Sequence, residues 1–131
     1  SHPELSQWRH ISFTEFTEPV TRTDRGLVAT NTVAIKPAKL DRSPCGTGTC
    51  ARMAVLRAKG ELHVGDKLTA RSIIGSEFVG EIASDTQIGD RAAIVPRITG
   101  TAWITGTHQH MLDPTDPWPD GYRLSDTWPE P

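Results

Sequence analysis

Turn-forming residues divide this 131-residue chain into short segments. Ten prolines and 11 glycines are scattered along it and form no repeat. Because proline and glycine interrupt regular structure, many short elements joined by tight turns are expected. The length is that of one domain, and the apolar runs are too short for a transmembrane helix. The sequence therefore predicts a single folded domain without membrane association.

The second half of the chain is expected to be mostly antiparallel sheet. Turn-forming pairs at Gly75-Ser76, Gly89-Asp90 and Thr99-Gly100 separate runs that are typical of strands. The predicted strands are residues 67–74, 77–83, 91–98 and 101–111.

One helix is predicted upstream of that sheet, over about residues 49–59. Small and apolar residues recur there at helical spacing, and Gly60 follows as a stop signal. Before it, short strands are predicted at residues 27–29 and 33–35, with Asn31 as a turn residue between them. The expected fold class is α+β.

The loop at residues 41–49 holds the best candidates for chemistry. Cys45 lies just before the predicted helix, where the helix dipole and unpaired amides favour a thiolate. The backbone N–H groups of Gly46 and Thr47 would be free there to hold a carboxylate. Asp41 supplies an anion for a substrate ammonium. Together these residues could hold both ends of an amino acid with the thiol at its α carbon.

Simpler interpretations of the same residues stay open at this stage. A free cysteine such as Cys45 can be a small buried side chain, and Gly-Thr-Gly-Thr can be a capping loop. Cys50 is expected to pack in the core and receives no role. His108 and His110 could join the two cysteines as zinc ligands, but no Cys-x-x-Cys knuckle supports that set.

Two function classes are disfavoured by the motifs that the chain lacks. Phosphate-binding loops have a lysine after their second glycine, and this loop has none. The chain also has no Gly-x-Ser-x-Gly elbow. Nucleotide binding and the commonest type of serine hydrolase are therefore not expected.

Charge and cysteine content limit the partners and the compartment. Fourteen Lys and Arg against 16 Asp and Glu give a net charge of -2, and no basic run occurs. Nucleic-acid binding is therefore not expected, and a small molecule is the favoured partner. Two cysteines cannot form a disulfide framework, which favours a cytoplasmic location. With neither an initiator Met nor a targeting segment, the sequence is interpreted as the middle of a longer protein.

The motif Asp-Arg-Ser-Pro-Cys-Gly-Thr-Gly-Thr at residues 41–49 resembles that of the proline racemase family. This family includes proline racemases, 4-hydroxyproline 2-epimerases and trans-3-hydroxyproline dehydratases. Further matching segments are residues 51–54, 72–78, 98–106 and 112–114. The resemblance spans nearly the whole chain, but only the C-terminal part of the family's usual length.

The resemblance implies half of a two-domain enzyme of the diaminopimelate-epimerase type, which acts as a homodimer. Each half would be a sheet-rich, barrel-like domain around a central helix, with the active site between the halves. Residues 1–112 would be the C-terminal catalytic half-domain, with the cysteine loop and the central helix. Residues 113–131, rich in Pro and Trp, would pack on the missing N-terminal half or on a partner subunit. Trp118, Leu124 and Trp128 are the large apolar residues of this tail.

The resemblance also implies roles for the loop residues. In the family, one cysteine removes the α proton of a cyclic amino acid and the other returns a proton to the opposite face, without pyridoxal phosphate or metal, so no cofactor is expected. By matching position, Cys45 would be the second catalytic thiol, Gly46 and Thr47 would hold the substrate carboxylate, and Asp41 would contact the ring ammonium. The first cysteine belongs to a Cys-Gly-His-type loop, which this sequence lacks. The chain alone is therefore expected to be inactive.

The substrate branch is only partly readable from this sequence. The dehydratases have Thr where this chain has Cys45, which favours a racemase or an epimerase. Residues 122–128 favour the 4-hydroxyproline branch. Proline racemase is an alternative, since the residues that distinguish the substrates lie in the absent half. A catalytically dead amino-acid-binding domain is the other alternative.

Overall fold

The computed structural model describes residues 2–7, 11–36 and 39–121 of the chain. This part contains seven strands and one helix, so the α+β class is confirmed. The elements are β1 (Phe13–Thr17), β2 (Thr21–Thr23), β3 (Gly26–Ile35), β4 (Lys39–Leu40), α1 (Gly46–Ala58), β5 (Lys67–Arg71), β6 (Glu77–Ile88) and β7 (Arg91–Thr99). No helix in the described ranges is long and apolar enough to cross a membrane.

All seven strands belong to one mixed sheet. Its main order is β1-β3-β5-β6-β7, and β2 and β4 also pair with β3. The pairings are antiparallel except that of β3 with β5, which is parallel. Because parallel strands need a long crossover connection, the chain between β3 and β5 must leave the sheet and return. The cysteine loop and α1 form this crossover.

β3 is one continuous strand of ten residues, so the predicted turn at Asn31 is wrong. Buried and half-buried positions alternate along it, and Asn31 occupies a buried position together with Leu27, Ala29 and Val33. The side chain of Asn31 has a buried hydrogen-bond acceptor, the carbonyl oxygen of Pro44, at 2.7 Å. A polar side chain with such a partner is compatible with a buried strand position.

The core lies between α1 and the sheet. Met53 and Leu56 of α1 are buried with Leu62, Leu68 and Ile82. On another side of the helix, Ala51, Val55 and Ala58 are exposed. The described strands therefore cover only part of the helix surface, and the predicted barrel around a central helix is not seen in this part of the chain.

α1 begins at Gly46, three residues earlier than predicted, because Cys45 caps it. β5 ends at Arg71, also earlier than predicted, because the next residues form a turn. Ser72 N donates to Ser76 O at 2.9 Å, and Gly75 has a φ of 80°. In contrast, β6 continues to Ile88, beyond its predicted end.

The predicted strand at residues 101–111 is absent, since residues 100–112 have no regular secondary structure. A strand needs a hydrogen-bonded neighbour, and no described strand lies beside this segment. All its residues are exposed, including Trp103 and Ile104 at 79% and 94%. Leu124 and Trp128, which were expected to pack on another surface, lie outside the described residues.

Candidate active site

Two hydrogen bonds attach the cysteine loop to β3. Asp41 N donates to Val33 O at 2.9 Å, and Asn31 Nδ2 donates to Pro44 O at 2.7 Å. Asn31 and Val33 are both buried members of β3, and Pro44 is buried as well. The loop thus has a fixed position relative to the sheet on both sides of residues 42–43.

A short hydrogen-bond chain within the loop connects Asp41 to Cys45. Asp41 Oδ1 accepts from Ser43 N at 3.2 Å and from the Ser43 hydroxyl at 3.1 Å. The oxygen of that hydroxyl accepts from Cys45 N at 3.1 Å. These hydrogen bonds orient the Asp41 carboxyl group. Among the described residues, no donor contacts the second oxygen of that group, Oδ2.

Cys45 occupies the N-cap position of α1, directly before Gly46. Its Sγ accepts from Gly48 N at 3.4 Å and lies 3.4 Å from Thr47 Oγ1. Its carbonyl oxygen accepts from Thr49 N at 3.0 Å and from the Thr49 hydroxyl at 2.7 Å. The half-buried thiol is therefore held at the positive end of the helix dipole.

The backbone of Cys45 has a φ of 63°, the only positive φ among the described non-glycine residues. Such a conformation is uncommon for a residue with a side chain, and backbone strain of this kind occurs often at functional sites. Ser43 and Thr49 bind the Cys45 backbone on its two sides, which keeps this conformation in place.

The first turn of α1 leaves room for an anion. In the described part of the chain, neither Gly46 N–H nor Thr47 N–H has a hydrogen-bond acceptor. Apart from the chain neighbours of Gly46 and the nearby backbone of α1, no described atom lies within 4 Å of the place where a Gly46 side chain would begin, and the first turn contains no acidic residue. Backbone N–H groups at a helix N-terminus are a common binding site for carboxylate and phosphate.

Glu15 on β1 is a neighbour of this turn that the sequence did not reveal. β1 pairs with β3 so that Glu15 is opposite Val33, and a methyl group at Gly48 would lie 3.1 Å from Glu15 Oε1. Burial raises the pKa of the Glu15 carboxyl group, and the positive charge of Arg52 partly opposes this change. Only the register between β1 and β3 could have revealed this contact.

Arg52 is a second residue that the sequence did not single out. Its guanidinium donates to the Thr17 hydroxyl and, at 3.0 Å, to the Glu18 carbonyl oxygen. These bonds join α1 to the end of β1, the strand that carries Glu15.

Cys50 and the two histidines do not join Cys45 in a cluster. Cys50 is half-buried on α1. Burial is the main cause that raises the pKa of its thiol, and the charge of the nearby Cys45 raises it further. The His108 and His110 rings are 6.1 Å apart in the exposed segment after β7. In residues 2–7, 11–36 and 39–121, no three His, Cys, Asp or Glu residues are placed to hold a metal ion.

A groove of about 770 Å³ lies away from the cysteine loop, between the second half of α1 and the β6–β7 hairpin. Ala54, Ala58 and Ile94 are among its lining residues, together with an ion pair between Arg57 and Asp85 at 2.8 Å. The loop with Cys45 is outside this groove, so the two features are separate.

Comparisons with known proteins identify relatives over almost the whole chain. The family described as proline racemase matches residues 1–123. A hydroxyproline epimerase from Agrobacterium vitis, solved with bound trans-4-hydroxy-L-proline, is 35% identical with a TM-score of 0.70. A probable proline racemase from Agrobacterium radiobacter K84, solved with bound carbonate, is 38% identical with a TM-score of 0.71. Each match covers 97% of this chain but only 35% and 36% of the respective solved chain.

Proposed function

This chain belongs to the proline racemase family, and on that premise we propose that it supplies one side of an active site that epimerises 4-hydroxyproline at the α carbon. The position of Cys45 carries the proposal. Its thiol caps α1 beside the N–H groups of Gly46 and Thr47, which have no acceptor among the described residues. A proton-transferring group next to an anion site suits chemistry at the α carbon of an amino acid.

The substrate would be held at both of its charged ends. Its carboxylate would accept from Gly46 N–H and Thr47 N–H at the positive end of α1. Its ring ammonium would donate to Asp41, whose carboxyl group Ser43 orients through Oδ1. Both charged groups are bonded to the α carbon, so these two contacts would place that carbon next to the cysteine loop.

Epimerisation then needs two proton transfers on opposite faces of the α carbon. The Cα–H bond breaks, its proton moves to a thiolate, and the electron pair is delocalised into the carboxylate. A second thiol gives its proton to the other face, which forms the inverted centre and leaves that sulfur as a thiolate. Because negative charge grows on the carboxylate, the N–H groups of Gly46 and Thr47 stabilise the transition state. Cys45 is the proposed thiol on one face, and no metal or cofactor takes part.

Cys50 does not fit the role of the second thiol. It lies five residues after Cys45 on the same loop-helix unit, and both burial and Cys45 raise the pKa of its thiol. A group on the opposite face of the substrate must come from another part of the fold. Since this chain spans about a third of the solved structures that it matches, the remaining part of the family fold is the proposed source. The chain alone would then be inactive.

Exposed apolar residues also support the proposal that another part of the fold packs against this chain. Trp103, Ile104, Met111 and Leu112 are 76–94% exposed in the segment after β7. Exposed apolar groups of this size in one segment mark an interaction surface. We propose that residues 1–112 are one catalytic half-domain and that the rest of the fold covers this segment and completes a barrel around α1. The tail at residues 113–131 would contact that half or a second subunit of a homodimer.

4-Hydroxyproline is the first candidate substrate, because the relative from Agrobacterium vitis is a hydroxyproline epimerase solved with this amino acid. Proline is the second candidate, because the relative from Agrobacterium radiobacter is described as a probable proline racemase. Both substrates share the ring ammonium and the carboxylate that the loop would bind, so the loop does not distinguish them.

A chimeric enzyme tests the proposed function. Residues 1–121 of this chain replace the matching part of the Agrobacterium vitis epimerase, which supplies the rest of the fold. The chimera is expected to invert trans-4-hydroxy-L-proline, as measured by polarimetry. This experiment tests inversion at the α carbon, since the residues that distinguish the two substrates come from the epimerase part of the chimera. A folded chimera that binds either amino acid without inverting it would favour the catalytically dead binding domain.

The lone chain provides the complementary test. It is expected to leave both L-proline and trans-4-hydroxy-L-proline unchanged under the same conditions. Inversion by the pure chain would contradict the proposal that the second thiol comes from another part of the fold.

A further inference from the structure

The turn between β5 and β6, residues 72–76, lies beside the cysteine loop. β3 and β5 run parallel, and β5 ends opposite Thr30 while β3 continues to Ile35. The cysteine loop is bound to this continuing part of β3. The turn after β5 is therefore next to the loop, and a hydrogen bond joins them, because the Ser76 hydroxyl donates to the Arg42 carbonyl oxygen at 3.3 Å.

Ser72 holds the Ser76 hydroxyl in place. The two Oγ atoms are 2.7 Å apart. A hydroxyl carries one hydrogen, and that of Ser76 is donated to Arg42, so the Ser72 hydroxyl is the donor between the two serines. Ser72 Oγ also accepts from Ile74 N at 3.3 Å and from Ser76 N at 3.2 Å. Since Ser72 is only 3% exposed, the turn presents the Ser76 hydroxyl from a buried support.

The Arg42 carbonyl group belongs to the same peptide unit as the Ser43 N–H. That N–H donates to Asp41 Oδ1 at 3.2 Å. A trans peptide unit is planar, and its C=O and N–H point in opposite directions. A hydrogen bond that fixes the direction of one end therefore fixes the other. The bond from Ser76 thus sets the direction of the N–H that orients the Asp41 carboxyl group.

We propose that Ser76 is a positioning residue for the Asp41 carboxyl group and acts through the Arg42–Ser43 peptide unit. Connected hydrogen bonds polarise one another, so the Ser76 hydroxyl also makes the Ser43 N–H a stronger donor. Asp41 is the proposed contact of the substrate ammonium, so loss of the Ser76 hydroxyl would weaken substrate binding. This consequence rests on the proposed function, but the effect on the peptide unit does not.

Hydrogen exchange of backbone N–H groups, followed by NMR, measures the effect on the peptide unit in the 131-residue chain. Ser76→Ala removes the hydroxyl, and Ser76→Thr keeps it. Ser84→Ala, which removes the hydroxyl of an exposed serine on β6, is the control. In Ser76→Ala, the Ser43 N–H is expected to exchange about two- to tenfold faster, the net effect of one hydrogen bond. The Asp41 N–H, which donates to β3, should exchange at the unchanged rate.

Ser76→Thr and Ser84→Ala should leave the exchange of the Ser43 N–H as it is in the original chain. Equal exchange in Ser76→Ala and the original chain would overturn the inference. Equal acceleration in Ser84→Ala, or equal acceleration of the Asp41 N–H, would overturn it as well, since either result would indicate general loosening of the chain.

The chimera with the Agrobacterium vitis epimerase measures the consequence for the substrate. The ammonium is charged in both the ground state and the transition state, so a weaker contact with Asp41 raises KM and leaves kcat unchanged. Ser76→Ala should raise KM for trans-4-hydroxy-L-proline about two- to tenfold, and Ser76→Thr should restore it. An unchanged KM, or a loss confined to kcat, would overturn the role in binding. An inactive parent chimera would contradict the proposed function instead, and hydrogen exchange would still test the inference.

Discussion

The side-chain amide of Asn31 donates a hydrogen bond of 2.7 Å to the carbonyl oxygen of Pro44, the residue before the thiol. Both residues are buried, so this bond satisfies two polar groups that water cannot reach. It also connects the middle of β3 to the cysteine loop directly. The position of Cys45 at the start of α1 thus depends on a residue that is distant in sequence.

Loss of the Asn31 amide should destabilise the chain. Asn31→Ala would leave the buried Pro44 carbonyl oxygen with only the long hydrogen bond of 3.4 Å from the Thr49 hydroxyl, and this loss should cost about 1–3 kcal/mol of unfolding free energy. Urea denaturation followed by circular dichroism measures this difference. Gln109→Ala, which truncates an exposed amide, is the matched control and should change stability by less than about 0.5 kcal/mol. Equal stability of the two variants would show that the bond is not important for folding.

Gly80 on β6 is expected to tolerate no side chain. A methyl group there would overlap Met53 Sδ, in the centre of the core, and would lie 3.3 Å from Ile98 Cδ1. Gly80→Ala should therefore cost about 1–3 kcal/mol, the usual effect of overpacking. Gly106→Ala is the control, because its methyl group would approach no heavy atom closer than 3.4 Å, the distance to His108 Nε2. A lower thermal midpoint for Gly80→Ala alone is the expected result.

Local patterns were sufficient to predict the helix and the main turns. The spacing of small and apolar residues predicted α1, and the pairs at Gly75 and Gly89 lie at turns that the structure contains. The loop before the helix was also found from local chemistry, because Pro44 interrupts regular structure there, but Gly46 and Gly48 belong to α1 and not to the loop.

Features that depend on distant residues were not predictable in this way. Asn31 was interpreted as a turn residue from its residue type. Its hydrogen-bond acceptor, Pro44 O, is 13 positions away, so the local pattern could not show that the side chain is satisfied in a buried strand. The parallel pairing of β3 with β5 and the contact between Glu15 and Gly48 depend on the register of the sheet. Residues 101–111 form a run that is typical of a strand, but such a run does not provide the neighbouring strand that hydrogen bonding requires.

The exposed segment after β7 should contribute little to the stability of this chain. Ile104 is 94% exposed, so Ile104→Ser should change the unfolding free energy by less than about 0.5 kcal/mol. Leu62→Ala is the contrasting variant, because Leu62 is fully buried and its truncation should cost about 2–5 kcal/mol. A large loss of stability in Ile104→Ser would contradict the exposed position of this segment.

Glu15 should make stability depend on pH in a defined direction. Burial raises the pKa of its carboxyl group in the folded chain above the unfolded value of about 4.3. The folded chain then holds this proton more tightly, so its stabilising contribution is complete at low pH and is lost as pH rises through the folded pKa. Glu15→Gln lacks this effect.

The difference in unfolding free energy between Glu15→Gln and the wild type should therefore grow in favour of the variant between about pH 4 and pH 7. Urea denaturation at several pH values measures it. Glu61→Gln, which changes an exposed acid, should follow the wild type over this range. A difference that grows in favour of the wild type would show that ionised Glu15 is stabilised in the folded chain.

Cys45 is proposed as a catalytic thiol, and deuterium exchange at the α carbon tests this role most directly. The chimera with the Agrobacterium vitis epimerase is incubated in D₂O with trans-4-hydroxy-L-proline, and deuterium in the epimerised product is measured by mass spectrometry. Cys45→Ser should lower the rate by about 10²–10⁴-fold, the usual contribution of an acid-base group. Cys50→Ser should retain the rate within a few-fold, because Cys50 has no proposed role. A Cys45→Ser chimera as active as Cys50→Ser would contradict a catalytic role for Cys45.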